Sequence, residues 1–288
     1  MNTKVGIIGY PIRHSISPIF QQAAFNHFNL ETSYEIWETT SQQLPERLSY
    51  SRNDDVLGFN VTIPYKEQVL HLLDDITPEA LIIGAVNTVA NVNGFLRGYN
   101  TDTTGFIRAL KEKGDFEPKG KTALVLGAGG SARAVCFGLH NSGVTSIIIA
   151  NRTLNRAIEL ADHFQNHLQA NIVPILLTPK ELNKLLSAPN SPDLIVNCTS
   201  LGMTGGPNPL GSPLGDIEPS QSTFLADLVY NPIETPFLQM ATKSHARSLG
   251  GIPMLIYQGA EAFHIWTGKT PPLEILFSAV RTAMDDLS

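Results

Sequence analysis

The chain has 288 residues, enough for about two domains if each takes roughly 150. Hydrophobic residues make up 42% and charged residues 16%, which supplies a sizeable core and excludes global disorder. Twenty basic against 26 acidic side chains give a net charge of −6. That balance argues against nucleic-acid binding and makes any anionic ligand depend on a local cluster of positive charge.

Read in chain order, an apolar strand runs from Val5 to Tyr10 and enters the polar loop Arg13-His-Ser-Ile-Ser-Pro18. A helix from about Pro18 to Phe28, a strand near Tyr34 to Trp37 and a strand from Gly58 to Ile63 follow. Residues 85–99 read as a hairpin, because Asn93-Gly94 between two apolar runs is a strong type I′ turn signal. Strands alternating with helices, plus one hairpin, predict a mostly parallel sheet with an antiparallel member. From about residue 103 the pattern changes. Thr122–Leu126 is a buried strand, Gly127-Ala-Gly-Gly130 a tight turn, and Ala132, Val135, Cys136 and Leu139 one face of a helix closed by Gly143. Further strands are expected at Ile147–Ala150, Leu194–Val196 and Phe224–Leu228, with a helix from Leu154 between the first two. This βαβ series predicts a doubly wound nucleotide-binding domain. Thr235-Pro236 starts a helix with a cap and a proline, and the last fifty residues read as helical with no further strands.

The fold class expected is therefore α/β in two domains. One, residues 1–103 with 240–288, carries a mostly parallel sheet completed by C-terminal helices. The other, residues 104–239, is of Rossmann type. Cys136 and Cys198 are read as isolated buried thiols, a pattern that suits a reducing compartment and suggests no metal. The N-terminal apolar run is too short for a signal peptide, and no stretch approaches the roughly 20 apolar residues of a membrane span. A soluble, cytoplasmic protein is expected, a monomer or homodimer with no membrane partner.

Within the first domain, Asn60-Val-Thr-Ile-Pro-Tyr-Lys66 stands out. Pro64 reads as the first residue of a helix, which places Lys66 in the first turn. A cation there meets the positive end of the helix dipole, so the placement suggests chemistry rather than structure. Asp102 has a plainer reading as the N-cap of the next helix, and Ser17 as the cap of the helix at Pro18. Asn87 lies in a strand, where asparagine is depleted, so a ligand or network role is the better reading. Gln258 and Tyr257 share a helix, and one of them is expected to face solvent.

In the second domain, Gly127-Ala128-Gly129-Gly130-Ser131-Ala132 lies between a strand and a helix, the context in which such a turn binds a pyrophosphate. A site for NAD usually carries Asp or Glu at the end of the next strand. Here that position holds Asn151-Arg152-Thr153, 24 residues past Gly127. No carboxylate repels a 2′-phosphate. Arg152 can bind one with its planar fork, Thr153 with its hydroxyl, and Arg156 lies near one turn on. The cofactor expected is NADP.

Taken together, the strings Ser15-Ile-Ser17, Asn60–Lys66, Gly84–Thr88, Gly98–Asp102, Gly127–Ala132, Asn151–Thr153, Asn197–Met203, Asp227–Tyr230 and Gly251–Gly259 closely resemble shikimate dehydrogenase across the whole chain. The resemblance implies reversible NADP-dependent reduction of 3-dehydroshikimate to shikimate in aromatic amino-acid biosynthesis. It implies Lys66 and Asp102 as the acid–base pair. Ser15 and Ser17 would bind the substrate carboxylate, and Asn60, Thr62, Asn87, Tyr230 and Gln258 would line the ring hydroxyls. Thr199, Met203, Leu228 and Gly251 would join the cofactor side. The nearest rival expectation is a quinate/shikimate dehydrogenase with relaxed substrate and cofactor use; a more distant one is a non-catalytic ligand-sensing paralogue.

Overall fold

The computed structural model describes residues 2–285. The chain divides into two compact units, Met1–Gly105 with Leu255–Ser288, and Phe106–Met254. The return to the first unit therefore comes later than the residue-240 boundary expected from sequence. A short strand, β12 (Ser248–Leu249), pairs with β11 (Phe224–Asp227) through Leu225–Ser248 and Ala226–Leu249 and keeps this stretch in the second unit. Two residues are too few to show a sequence period, which is why no strand was expected there.

The first unit is built on a six-stranded sheet in the order β2-β1-β3-β5-β6-β4. Its strands are β1 (Thr3–Gly9), β2 (Thr32–Glu38), β3 (Val56–Val61), β4 (Asp75–Ile76), β5 (Thr88–Val92) and β6 (Phe95–Tyr99). β5 runs antiparallel to both β3 and β6, and the other pairings are parallel. The hairpin turns at Asn93 (φ 55°) and Gly94 (φ 83°), the paired positive angles that a type I′ turn requires. Reversal of β5 brings its N-terminal end to the same sheet edge as the C-terminal ends of β1, β3 and β6.

On one face Ile8, Trp37, Phe59, Val61, Tyr65, Val89 and Leu96 form a core with the helix α2 (Leu44–Tyr50). On the other lie α1 (Ser17–His27), α9 (Ile252–Thr267) and α10 (Leu273–Asp285). The Phe25 and Phe263 rings are 4.8 Å apart there, and Gln21 Nε2 donates to Gly259 O at 2.9 Å. The C-terminal helices thus complete the first unit.

The second unit holds a six-stranded, wholly parallel sheet in the order β12-β11-β10-β7-β8-β9. The remaining strands are β7 (Thr122–Leu126), β8 (Ser146–Asn151), β9 (Ile172–Leu176) and β10 (Leu194–Asn197). Counted from β7, this is the doubly wound order 6-5-4-1-2-3, with its switch point between β7 and β10. The helices are α5 (Gly130–Asn141), α6 (Leu154–Leu168), α7 (Pro179–Leu186) and α8 (Pro236–Lys243). Thr235 caps α8 as expected, its side chain accepting from Leu238 N at 3.2 Å. α3 (Pro78–Ile83) lies in the first unit, and α4 (Asp102–Arg108) starts there and crosses into the second. Cys136 is fully buried, and burial pushes its thiol up to about 12. Cys198 is only half-buried, contrary to expectation, because it lies just past the end of β10.

Among the described residues no helix is long and apolar enough to cross a membrane.

Candidate active site

The expected helix at Pro64 does not form. After β3 the chain turns, and Lys66 precedes a single 3₁₀ turn, Gln68–His71. The Lys66 carbonyl, which a helix would engage four residues on, instead accepts from Val86 N at 2.8 Å. A tertiary bond has overridden the local signal, so Lys66 does not stand in the first turn of a helix of its own. What faces Lys66 is Asp102. Its Nζ donates to Asp102 Oδ2 at 2.6 Å, with the two side chains only 12% and 5% exposed.

Asp102 is free for that pairing because another residue caps its helix. Asn100 Oδ1 accepts from the backbone N–H of Asp102 at 3.1 Å and of Thr103 at 3.3 Å. These are the bonds an N-cap side chain makes, so the capping role read for Asp102 belongs to Asn100. The second oxygen, Asp102 Oδ1, accepts from Asn87 Nδ2 at 2.9 Å. A buried ion pair keeps a defined geometry only when its remaining lone pairs are satisfied, and Asn87 does this for Asp102.

Asn87 is itself heavily engaged. It lies just before β5 rather than within it. Its Nδ2 also approaches Thr101 Oγ1 at 2.8 Å and Gln258 Oε1 at 3.1 Å, and its Oδ1 accepts from Thr101 N at 2.7 Å. Asn60, within β3, donates from Nδ2 to Asn87 O and to Thr88 Oγ1, both at 3.1 Å. Its Oδ1 accepts from Tyr34 OH at 2.7 Å. Gln258 and Tyr257 are both buried, against the expectation that one faces solvent, because α9 is covered on more than one side. Gln258 Nε2 donates to Leu255 O at 2.8 Å, which aims its Oε1 at Asn87.

Lys66, Asp102, Asn60, Asn87 and Gln258 thus form one connected polar cluster in the first unit. It lies at the sheet edge where β3 and β6 end and β5 begins, the edge at which parallel sheets place ligands. Thr62 lies at the same edge, directly after β3, and donates its N–H to Ile8 O at 2.9 Å. The loop carrying Ser15 and Ser17 also leaves this edge, after β1. Ser15 Oγ accepts from Ser17 N at 3.3 Å, and Ser17 is the first residue of α1 rather than its cap. Tyr230 belongs to the second unit. Sequence reasoning gave no role to Tyr34, Thr88, Asn100 or Thr101, which hold the cluster from behind. Tyr34 shows only as a polar group in an apolar strand, while Thr88, Asn100 and Thr101 lie in the strings Gly84–Thr88 and Gly98–Asp102 that carry the resemblance.

In the second unit the glycine-rich turn joins β7 to α5. Gly127 has φ +108°, an angle that side-chain-bearing residues rarely adopt, and its N–H donates to Ala150 O at 2.8 Å. Gly129 is the N-cap of α5 and has open space around its missing Cβ. Ala128 and Ala132 are buried against the sheet, while Gly130 and Ser131 stay half-buried. At the end of β8, Asn151 Nδ2 donates to Thr153 O at 2.9 Å, fixing the turn into α6. Thr153 is the N-cap of α6, but its hydroxyl makes no capping bond. Arg152 and Arg156 are exposed there, with no acidic residue in the stretch Asn151–Arg156.

Beside this turn, Asn197 Oδ1 accepts from Thr199 N at 3.0 Å and Thr199 Oγ1 at 2.7 Å. Met203 N donates to Ser200 O at 3.4 Å in the turn that follows. Leu228 N donates to Asn197 O at 3.1 Å, and Gly251 N to Val229 O at 3.2 Å. A Cβ at Gly251 would sit 2.6 Å from Leu228 O, so only glycine allows this approach. Asp227, at the end of β11, is buried, and its carboxyl is pushed up to about 6 by desolvation despite bonds from Thr235, Val229 and Asn197.

Three family profiles match the chain in order. The shikimate dehydrogenase substrate-binding domain matches residues 7–89, shikimate/quinate 5-dehydrogenase residues 109–208, and the shikimate 5′-dehydrogenase C-terminal domain residues 251–281. A shikimate dehydrogenase (NADP⁺) of Caldanaerobacter subterraneus subsp. tengcongensis is 40% identical over 283 residues, 98% of each chain. The chain belongs to the shikimate dehydrogenase family. Among solved structures of the family, the Thermus thermophilus enzyme in complex with NADP(H) and shikimate is 40% identical, with a TM-score of 0.81 over 98% of this chain and 99% of that one. Quinate dehydrogenase from Corynebacterium glutamicum in complex with NAD is 30% identical, with a TM-score of 0.85 over 98% and 99%.

Proposed function

We propose that this chain catalyses the reversible NADP-dependent reduction of 3-dehydroshikimate to shikimate, with the first unit holding the substrate and the second the cofactor. The observation that carries the reading is the buried Lys66–Asp102 pair, held by Asn87 at the ligand-binding edge of its sheet. When bound, the cofactor supplies or accepts the hydride. The Gly127–Ala132 turn suits its pyrophosphate, because Gly127 gives the sharp turn and Gly129 leaves open space before the N-terminus of α5. Asn151, Arg152, Thr153 and Arg156 suit a 2′-phosphate. Thr199, Met203, Leu228 and Gly251 belong to the loops beyond the neighbouring strands.

Alcohol oxidation releases one proton from the reacting hydroxyl, and carbonyl reduction consumes one. Lys66 handles that proton at Nζ. Asp102 orients Lys66 through Oδ2. In reduction Nζ gives its proton to the carbonyl oxygen and the neutral amine takes another from solvent, and in oxidation the neutral amine takes the hydroxyl proton. Ser15 and Ser17 bind the carboxylate, and Asn60, Thr62, Asn87 and Gln258 address the ring hydroxyls.

Quinate is the second substrate to weigh, since one of the matched profiles spans both activities and one similar structure is a quinate dehydrogenase with NAD. The absence of a carboxylate at Asn151–Arg156 favours NADP over NAD for this chain. Initial rates of nicotinamide reduction with shikimate and with quinate, each with NADP and NAD, test the proposal. Shikimate with NADP is expected to give the highest kcat/KM. A higher value for quinate or for NAD would overturn the assignment, and no rate with any pair would remove the activity.

A further inference from the structure

Two of the strings that carry the family resemblance, Asn197–Met203 and Asp227–Tyr230, contain a buried polar pair to which the reaction gives no part. Asn197 is fully buried and Asp227 is 1% exposed. Asp227 Oδ1 accepts from Asn197 Nδ2 at 2.9 Å and from Val229 N at 2.9 Å, and Oδ2 accepts from Thr235 Oγ1 at 2.6 Å. Two of the partners are N–H groups, and the third is the Thr235 hydroxyl, whose oxygen also accepts from Leu238 N. The bonds run on from there. Asn197 Oδ1 holds Thr199 by two bonds, and Thr199 Oγ1 accepts from Leu201 N at 3.2 Å. Val229 O accepts from Gly251 N. One carboxylate therefore ties together the loop after β10, the loop after β11 and the N-terminus of α8.

We propose that Asp227 is a positioning residue for the nicotinamide half of the cofactor, setting Thr199 through Asn197 and the Leu228–Gly251 approach through Val229. The inference rests on the proposed NADP-dependent activity and adds to it a residue that touches neither cofactor nor substrate. The adenosine end is held elsewhere, after β7 and β8, so the two ends of the cofactor respond separately to a change at Asp227. An asparagine in its place keeps the shape but replaces one acceptor oxygen with an N–H group, so one of the bonds from Asn197, Val229 or Thr235 must be reversed or lost.

The test compares Asp227→Asn with the wild-type enzyme by titrating two probes, NADPH and adenosine 2′,5′-bisphosphate, which carries only the adenosine end. NADPH binding is expected to weaken by about tenfold or more, while binding of the bisphosphate and the KM for shikimate change by less than about twofold. A variant that is only less stable would lower the melting temperature and leave both dissociation constants unchanged, which would overturn the proposal. Equal weakening of both probes would overturn it as well. If Asp227→Asn does not fold, Asn197→Ala decides, since it cuts the link to Thr199 while Val229 and Thr235 still hold the carboxylate, and the same split between probes is expected. Failure of the underlying reading looks different, because wild-type protein would then bind neither probe.

Discussion

Lys66 and Asp102, 36 residues apart in sequence, meet at 2.6 Å in a nearly buried ion pair, and only Asp102 stands at a helix end, as the first residue of α4. Lys66 stands in a turn anchored by Val86, and Asp102 is released from capping by Asn100. The lysine is thus paired with Asp102, and that partner is held in turn by Asn87.

Replacing Lys66 with alanine is expected to lower kcat by about a hundredfold or more, the scale of a lost acid–base group. NADPH binding should be unchanged, because the cofactor turn lies in the other unit. Wild-type turnover in this variant would exclude Lys66 from proton transfer. Asp102→Asn should also lose turnover.

Arg152→Asp is expected to raise the KM for NADP by about tenfold or more, since a carboxylate replaces the guanidinium fork that matches a phosphate. The KM for NAD should change far less. Equal changes in both constants would contradict the 2′-phosphate site.

Ser15→Ala removes a hydroxyl assigned to the substrate carboxylate. The expected result is a KM for shikimate raised by about tenfold with kcat largely kept, as for loss of a hydrogen bond to a charged group. A fall in kcat alone would place Ser15 in the chemical step instead.

Much of this site was legible in the sequence because its signals are local. The Asn93-Gly94 turn, the glycines after β7, and Arg152 where a carboxylate would mark NAD all act within a few residues. What could not be read was set by distant partners. Pro64 and Lys66 look like a helix start until Val86 takes the Lys66 carbonyl, and Asp102 looks like a cap until Asn100 is seen to do that work. β12 is too short to declare itself, so the chain returns to the first unit later than the sequence pattern predicts. Tyr34 and Thr88 are ordinary strand residues until the fold brings Asn60 between them.

Asp227 supplies a pH dependence whose sign is fixed. Its carboxyl is raised from 3.8 to about 6 by burial, so the folded protein holds this proton more tightly than the unfolded chain. Its contribution to stability is greatest below about pH 4 and falls as the pH rises through about 6, then levels. Melting temperatures of wild type and Asp227→Asn between these limits should show the wild type losing ground to the variant as the pH rises. A constant difference would contradict the assignment.

Gly251→Ala places a Cβ within 2.6 Å of Leu228 O, and backbone cannot yield as a side-chain tip can. A loss of about 1–3 kcal/mol is expected from the overpacking, measurable by denaturant unfolding. Unchanged stability would mean the two loops part without cost.

The central claim is hydride transfer from the reacting carbon of shikimate to NADP, with the proton handled separately by the protein. Shikimate carrying deuterium on that carbon tests it most directly. The account predicts that the label appears on the reduced nicotinamide, with none released to solvent. Label in the water, or oxidation of shikimate without label in NADPH, would contradict it.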